Sequence, residues 1–185
     1  MEHSISVVLS LGSNLGERGT WLNAMRSAVV KLLGTTVRCS GIMETEPLEV
    51  TLPHPWYLNQ ILEGGCPLPL EALFAACRGI EEELGREGKG AKQARCADID
   101  ILLYGTDVVD TPALTVPHPQ MLRRRFCLDG LREIDPGRRL PDGRTVEQAW
   151  CQMPRDVARQ EVRSAGLGAV AGVALRAAGR GGNDA

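Results

Sequence analysis

Apolar residues occur along the chain in two patterns, as short continuous runs and as longer stretches with an apolar position every three or four residues. The short runs have the length of strands, and the longer stretches have the periodicity of amphipathic helices. Together they predict the order strand, helix, strand, strand, helix, strand. The strands are predicted at residues 5–11, 35–43, 57–64 and 97–104, and the helices at 22–32 and 70–84.

This order is typical of the ferredoxin-like split βαβ fold (βαββαβ), an α+β fold with both helices on one face of an antiparallel sheet. The other face would be open, and we expect a functional site there, beneath the long loops. A short strand at 107–109 and small helices at 126–134 and 145–151 are predicted as C-terminal additions.

The C-terminal end of the chain differs in composition from the rest. One domain is predicted over residues 1–154, because a chain of 185 residues has room for roughly one domain. Residues 155–185 are a predicted extension rich in Gly, Ala and Arg, which lacks a bulky apolar face and is expected to be loosely ordered. Removing the chain beyond Gln160 should therefore change stability and activity little.

Composition and charge narrow the possible function classes. The chain has 21 Lys and Arg against 23 Asp and Glu, a net charge of −2, so no overall positive field attracts nucleic acid or an anionic membrane. It shows neither a signal peptide nor an apolar run that could cross a bilayer, which predicts a cytoplasmic location. The six cysteines form no CxxC pair and the three histidines no cluster, which argues against a zinc site and predicts reduced thiols.

Two aspartates in the fourth predicted strand are the strongest local signal for chemistry. Asp98 and Asp100 alternate with Ile99 and Ile101, so both carboxylates point to one face of the sheet, about 7 Å apart. Neighbouring like charges repel, and hard carboxylate oxygens suit Mg²⁺, which leaves its other positions to water and phosphate oxygens. The alternative is a solvated strand face with incidental acids.

A basic loop directly before these acids supports the metal interpretation. Arg86, Lys89, Lys92 and Arg95 could hold phosphate oxygens while the aspartates hold a metal, a combination that suggests phosphoryl chemistry. Taken singly, each of these side chains could be part of a solvated positive surface. The chain contains no G-x-x-x-x-G-K-[ST] segment, which excludes a P-loop.

Six segments, in order along the chain, match the motifs of one known family. They are LGSNLGER at 11–18, ETEPL at 44–48, PWYLNQ at 55–60, IEEELGR at 80–86, RCADIDILLYG at 95–105 and LTVPHPQMLRRRF at 114–126. Through them the chain resembles the 6-hydroxymethyl-7,8-dihydropterin pyrophosphokinase (HPPK) family over about residues 5–150. Each segment alone is weak, but the six at near-family spacing are specific.

The resemblance implies an enzyme of tetrahydrofolate biosynthesis. The family transfers diphosphate from ATP to the 6-hydroxymethyl group of the reduced pterin and releases AMP, using two Mg²⁺ ions. Its partners are small molecules, with neither nucleic acid nor membrane, and a monomer is expected.

The resemblance also implies roles for individual residues. It makes Asp98 and Asp100 the metal ligands and, with Arg86 and Arg95, the catalytic residues. The pterin pocket would be formed by Gly12, Asn14, Thr45, Glu46, Leu48, Tyr57, Asn59 and Phe126, with the two aromatic rings as walls on either side of the flat substrate. ATP would contact Arg78, Glu81, Arg86, Lys89, Arg95, Ile101, Thr115, His118 and Arg124.

The chain departs from the family pattern at a few positions, and other interpretations stay open. Gln93-Ala94 replaces Gly-Pro in the basic loop, which puts loop closure in doubt, and Glu46 replaces a proline. Tyr57 and Phe126 could be ordinary core aromatics. An RNA-binding module is an alternative, although only 4% of the residues are aromatic, and so is an inactive homologue.

Overall fold

The computed structural model describes residues 4–34, 36–48, 55–85 and 94–166. In chain order the elements are β1 (Ile5–Ser13), α1 (Arg18–Leu32), β2 (Val37–Cys39), β3 (Met43–Thr45), β4 (Tyr57–Cys66), α2 (Leu70–Glu83), β5 (Asp98–Tyr104), β6 (Val109–Asp110), β7 (Thr115–Val116), a 3₁₀ helix (Met121–Arg123), α3 (Arg125–Ile134), α4 (Val146–Cys151), α5 (Arg155–Ala158) and β8 (Val162–Ser164). No helix in these parts of the chain is long and apolar enough to cross a membrane. The predicted second strand is divided into β2 and β3.

The main sheet has six strands in the order β5-β1-β4-β3-β8, with β2 also paired to β4. All these pairs are antiparallel, which confirms an α+β protein built on an antiparallel sheet. The pairs of β1 with β4 and with β5 are the longest, and they satisfy the backbone amides and carbonyls of the buried central strands. A separate two-stranded sheet joins β6 to β7.

One face of the main sheet holds the larger core. Leu22, Met25 and Val29 of α1 are buried here, at helical spacing. They pack with alternate residues of β1, such as Leu9 and Leu11, in one apolar cluster that also includes the buried side of α2. The apolar face of the strands, which follows from their alternation, thus packs against the apolar face of the helices, which follows from their periodicity.

Both predicted helices, α1 and α2, pack on the face with the larger core, but the prediction that the opposite face is open is wrong in part, because α3 packs there. Leu131 of α3 lies with Val8, Ile61 and Leu103 of the sheet in a second apolar cluster. A Cβ atom at Gly130 would overlap Ile61, so the glycine allows α3 to approach β4 closely. The apolar stripe of α3 needs burial, and only half of this sheet face is apolar, so α3 covers that half.

The prediction of a loosely ordered extension from residue 155 is wrong for residues 155–166. Strand β8 pairs with β3, with Val162 opposite Thr45 and Ser164 opposite Met43, and Val157 of α5 is buried. Without β8, the strand β3 would lie at the edge of the sheet with unpaired amides and carbonyls. The three residues of β8 pair with these groups. Such a short segment leaves no periodic pattern in the sequence. Residues 167–185 lie outside the described parts of the chain.

Contrary to the expectation from the sequence, we therefore expect truncation before β8 to destabilise the protein. A chain ending at Gln160 loses the β3–β8 pairing and the contact of Val162 with the second apolar cluster. The expected loss is about 2 kcal/mol, with a shift of about 2–4 °C in melting temperature per kcal/mol. Thermal unfolding of chains ending at Gln160 and at Gly166 measures it. Equal melting temperatures would show that β8 adds no stability.

Candidate active site

A cavity of about 300 Å³ lies on the second sheet face, in the half that α3 leaves uncovered. Its floor comes from strands β1, β4 and β5, and its walls come from β3, the segment before α3, the start of α3 and the segment that enters β8. Its lining residues are Ser10, Gly12, Thr45, Glu46, Leu48, Tyr57, Asn59, Arg95, Asp98, Asp100, His118, Arg124, Phe126, Gln160, Glu161 and Val162.

Strand register places the polar floor residues side by side. Gly12 of β1 lies opposite both Asn59 of β4 and Asp98 of β5, and Ser10 lies opposite Asp100. Residues directly opposite in antiparallel strands share a face, so these side chains all point to the cavity. A Cβ at position 12 would lie 2.8 Å from Asn59 Oδ1, which explains why the floor has glycine between the two side chains.

The two aspartates lie among three basic side chains. Arg95 Nη1 donates to Asp98 Oδ1 at 2.8 Å. Arg124 Nη1 and His118 Nε2 lie 3.8 and 3.9 Å from Asp100 Oδ2. Burial and the neighbouring Asp98 carboxylate raise the pKa of Asp100 above its ordinary value, because the basic groups offset only part of this effect. The cavity thus holds two neighbouring carboxylates, and the pKa of one of them is raised.

His118 is oriented as a hydrogen-bond donor toward this pair. Its Nδ1 accepts the backbone N–H of Gln120 at 3.2 Å, so the neutral ring carries its proton on Nε2, the nitrogen that faces Asp100. Burial and then the charge of Arg124 lower the pKa of His118. A neutral ring in this orientation can donate to an anionic oxygen in the cavity but cannot accept a proton at Nε2.

The donor set at the carboxylate pair fits Mg²⁺. Asp98 and Asp100 offer hard oxygen ligands on one face of β5, and Mg²⁺ commonly takes one or two carboxylates and keeps water or phosphate oxygens at its other positions. Within the described ranges, no group of three or more His, Cys, Asp or Glu side chains forms a closed metal cage. The pair therefore suits a cation that arrives with an anionic ligand.

A second group of lining residues combines aromatic rings with a side-chain amide. Tyr57 and Phe126 both line it, and burial raises the pKa of the Tyr57 hydroxyl. The Asn59 side-chain amide donates to Thr45 Oγ1 at 2.7 Å, which leaves the Asn59 orientation fixed by β3. These groups can accept a flat ring with a polar edge.

Several residues that the family resemblance implies are not brought to the cavity. Asn14 accepts the Arg95 backbone N–H at 2.8 Å and donates to the Pro55 carbonyl, so it holds the segment that enters β5. Glu81 is buried and accepts the Ile99 backbone N–H at 2.7 Å, with Arg78 3.8 Å away. Their substrate contacts stay predictions.

Two further predicted ATP contacts also lie away from the cavity lining. Ile101 is buried in the larger core, and the Thr115 hydroxyl donates to Asp110. Arg86 and Lys89, together with Lys92 and Gln93 of the same loop, lie outside the described residues. Their roles stay predictions as well.

Four cavity residues were missed from the sequence. Ser10 could have been found, since it lies two residues from both Val8 and Gly12, shares their sheet face, and pairs with Asp100 once the register is known. Gln160, Glu161 and Val162 reach the cavity because β8 pairs with β3. Nothing in the local sequence pattern signals that pairing.

The fold and cavity define a class of protein, an α+β protein with a carboxylate pair, basic groups and an aromatic pocket in one site. The family model described as 7,8-dihydro-6-hydroxymethylpterin-pyrophosphokinase (HPPK) matches residues 8–136. The chain belongs to the HPPK family.

Curated relatives agree with this membership. The 2-amino-4-hydroxy-6-hydroxymethyldihydropteridine pyrophosphokinase of Porphyromonas gingivalis is 38% identical over 134 residues, which cover 70% of this chain and 90% of the relative. The protein of the same name from Bacillus subtilis is 36% identical over 127 residues, covering 68% and 75%.

Solved structures show a similar fold. A crystal structure of Plasmodium falciparum HPPK-DHPS A437G with SDX-DHP superposes with a TM-score of 0.66 at 13% identity and covers 82% of this chain. The match covers 46% of that longer chain. At this identity the likeness concerns the fold.

The raised pKa of Asp100 predicts that Asp100→Asn stabilises the protein in EDTA. A carboxyl group with a raised pKa in the folded state lowers stability as pH increases above the ordinary Asp pKa. The gain in the free energy of unfolding should be on the order of 1 kcal/mol at pH 8 and should disappear in acid. Denaturant unfolding at several pH values measures it.

Asp107→Asn, at an exposed aspartate outside the cavity, is the matched control and should change stability little. An Asp100→Asn protein that is less stable than wild type at pH 8 would contradict the interpretation.

Proposed function

We propose that this protein transfers diphosphate from ATP to the 6-hydroxymethyl group of 6-hydroxymethyl-7,8-dihydropterin and releases AMP, a step of tetrahydrofolate biosynthesis. One observation carries the proposal: a carboxylate pair ringed by basic groups and an aromatic pocket with an amide share a single cavity, in a chain of the HPPK family. The first suits a metal-bound polyphosphate and the second suits a pterin. Their closeness allows the two substrates to react.

The pterin is proposed to lie at the aromatic lining residues. Tyr57 and Phe126 would contact the two faces of its ring, and the Asn59 amide, held by Thr45, would bind its polar edge. Gly12 would form the floor, and Leu48 and Glu46 line the same cavity. The ring would then exclude water from the place where its hydroxymethyl group meets the phosphates.

The polyphosphate is proposed to lie at the charged lining residues. Asp98 and Asp100 would hold Mg²⁺, and we assign two ions to the pair. When bound, Mg²⁺ neutralises phosphate charge and favours loss of the proton from the attacking hydroxyl. Arg124 and the Nε2–H of His118 would donate to phosphate oxygens beside Asp100.

The reaction proposed is an in-line displacement at the β-phosphorus. The hydroxymethyl oxygen forms the new bond to that phosphorus, the bond from it to the oxygen of the α-phosphate breaks, and AMP leaves with those electrons. The hydroxyl proton goes to solvent. The chain's residues contribute orientation and charge neutralisation, and His118 is not the base because its Nδ1 is occupied by Gln120.

The same proposal covers two finer assignments. The strand order supports the ferredoxin-like split βαβ topology, with α3 and the later elements added to it. The monomeric state stays a prediction. A catalytic domain is assigned to residues 1–154, with 155–185 as an extension of which 155–166 complete the sheet and cavity. The cytoplasmic location stays a prediction.

The test is a turnover assay with the full chain. ATP, 6-hydroxymethyl-7,8-dihydropterin and Mg²⁺ should yield AMP and the pterin diphosphate in equal amounts. ADP as the nucleotide product, or AMP formation that does not depend on the pterin, would overturn the proposal. Omitting Mg²⁺ should stop the reaction.

We predict that Asp98→Ala and Asp100→Ala each abolish turnover while the fold persists. The carboxylates face the cavity and not a core, so their removal relieves repulsion without opening a cavity in the interior. Steady-state AMP formation with circular dichroism as the folding check measures both effects. Asp107→Ala is the control, and near-normal turnover in either site variant would contradict the metal assignment.

We predict that Arg95→Ala lowers kcat by about 100-fold while the Kd of ATP changes far less. Arg95 pairs with Asp98 in the structure, so its contact with phosphate would form late and would stabilise mainly the transition state. Pre-steady-state turnover together with calorimetric binding of an ATP analogue separates the two quantities. The same result is predicted for Arg86→Ala.

Arg139→Ala, at a residue that does not line the cavity, is the control for the loss of one guanidinium group. If Arg95→Ala weakened ATP binding in proportion to kcat/KM with kcat unchanged, Arg95 would act only on the ground state.

A further inference from the structure

Arg124 lies at a junction between two helical segments. The 3₁₀ helix ends at Arg123 and α3 begins at Arg125, and Arg124 between them has extended backbone angles, φ −115° and ψ 112°. One residue therefore sets the angle between the segments and the direction in which its own guanidinium points. That guanidinium faces Asp100 in the cavity.

The junction depends on a side chain from a distant part of the chain. Gln160 Oε1 accepts the Arg125 backbone N–H at 2.8 Å, and Gln160 Nε2 donates to the Arg123 carbonyl at 2.8 Å. The first amides of a helix need partners from outside it, and Arg124 provides no side-chain cap to α3. Gln160 supplies that partner and at the same time binds the residue on the other side of Arg124.

The segment that carries Gln160 is itself held at both ends. Arg125 donates from its guanidinium to the carbonyls of Ala158 and Gln160. On the other side, Glu46 Oε1 accepts the Glu161 backbone N–H at 2.8 Å, and β8 continues the pairing with β3. Gln160 also lines the cavity, next to the place where the Arg124 side chain enters it.

We propose that Gln160 is a positioning residue: by bridging the backbone on both sides of Arg124, it aims the Arg124 guanidinium at the polyphosphate. The identity of the anion rests on the proposed function, whereas the two hydrogen bonds that form the bridge do not depend on it. A misplacement of about 1 Å in a charged group can cost on the order of 100-fold in rate. Gln160 thus affects the reaction by orienting Arg124.

The test compares Gln160→Met, which keeps the length of the side chain and loses both hydrogen bonds, with Arg124→Ala and the double variant. Gln160→Met should lower kcat about 10-fold or more, with a smaller change in the KM of the pterin. In the Arg124→Ala background the same change should lower kcat no further, because the group that Gln160 aims is absent. Gln152→Met, at an exposed glutamine, is the control and should leave kcat unchanged.

A second readout does not depend on turnover. Amide hydrogen exchange at Arg125 should be faster in Gln160→Met than in wild type, and in Gln160→Glu it should stay slow, since a carboxylate keeps the acceptor for that N–H. Gln160→Glu loses the donor to Arg123, so its kcat should lie between those of wild type and Gln160→Met.

Other results would overturn the proposal. Equal fold-losses of kcat from Gln160→Met with and without Arg124 would show that Gln160 acts on something other than Arg124. Unchanged exchange at Arg125 would show that the bridge does not form in solution. If wild-type protein produced no AMP while exchange at Arg125 responded as expected, the proposed function would fail and the bridge would stand.

Discussion

The antiparallel pairing of β1 with β4 and β5 is the interaction on which the candidate site depends. One register places Asn59, Gly12 and Asp98 opposite one another across three strands. A slip of one residue would turn Asp98 and Asp100 into the larger core and bring Ile99 and Ile101 to the cavity. The apolar residues that α1 and α2 cover therefore fix the position of the polar groups on the opposite face.

One half of that opposite face contributes to stability, and the other half carries the candidate site. Its apolar half, with Val8 and Ile61, is covered by α3, and its polar half forms the cavity floor. The carboxylate pair has a cost, because burial and mutual repulsion raise the pKa of Asp100 and the basic groups around it offset only part of that effect. The site that suits a cation-bound anion thus also lowers the stability of the folded chain when Asp100 is ionised.

Much of the fold and the site could be predicted from local patterns. Strand alternation placed Asp98 and Asp100 on one face, and helical periodicity found α1 and α2, since both signals are contained in neighbouring residues. The family motifs indicated Tyr57, Asn59 and Phe126, which the structure brings into one cavity. These three have ordinary core-like surroundings in the sequence, and only the motifs distinguished them.

What could not be predicted depends on contacts between distant segments. The packing of α3 on the second face follows from which half of that face is apolar, a property of three strands together. The β8 pairing is too short to leave a pattern, so Gln160 and Glu161 appeared as part of a tail. The Asn14 side chain holds the backbone of Arg95, 81 residues away, and no local pattern signals such a contact.

The central claim is that Asp98 and Asp100 form a site for a cation that is completed by the polyphosphate. Calorimetric titration of the full chain with a non-hydrolysable ATP analogue, in Mg²⁺ and in EDTA, tests it most directly. We predict that wild-type protein binds the analogue much more tightly with Mg²⁺, and that the Asp98→Asn, Asp100→Asn double variant loses this dependence. Equal affinity with and without Mg²⁺ in wild type, or an unchanged dependence in the double variant, would contradict the account.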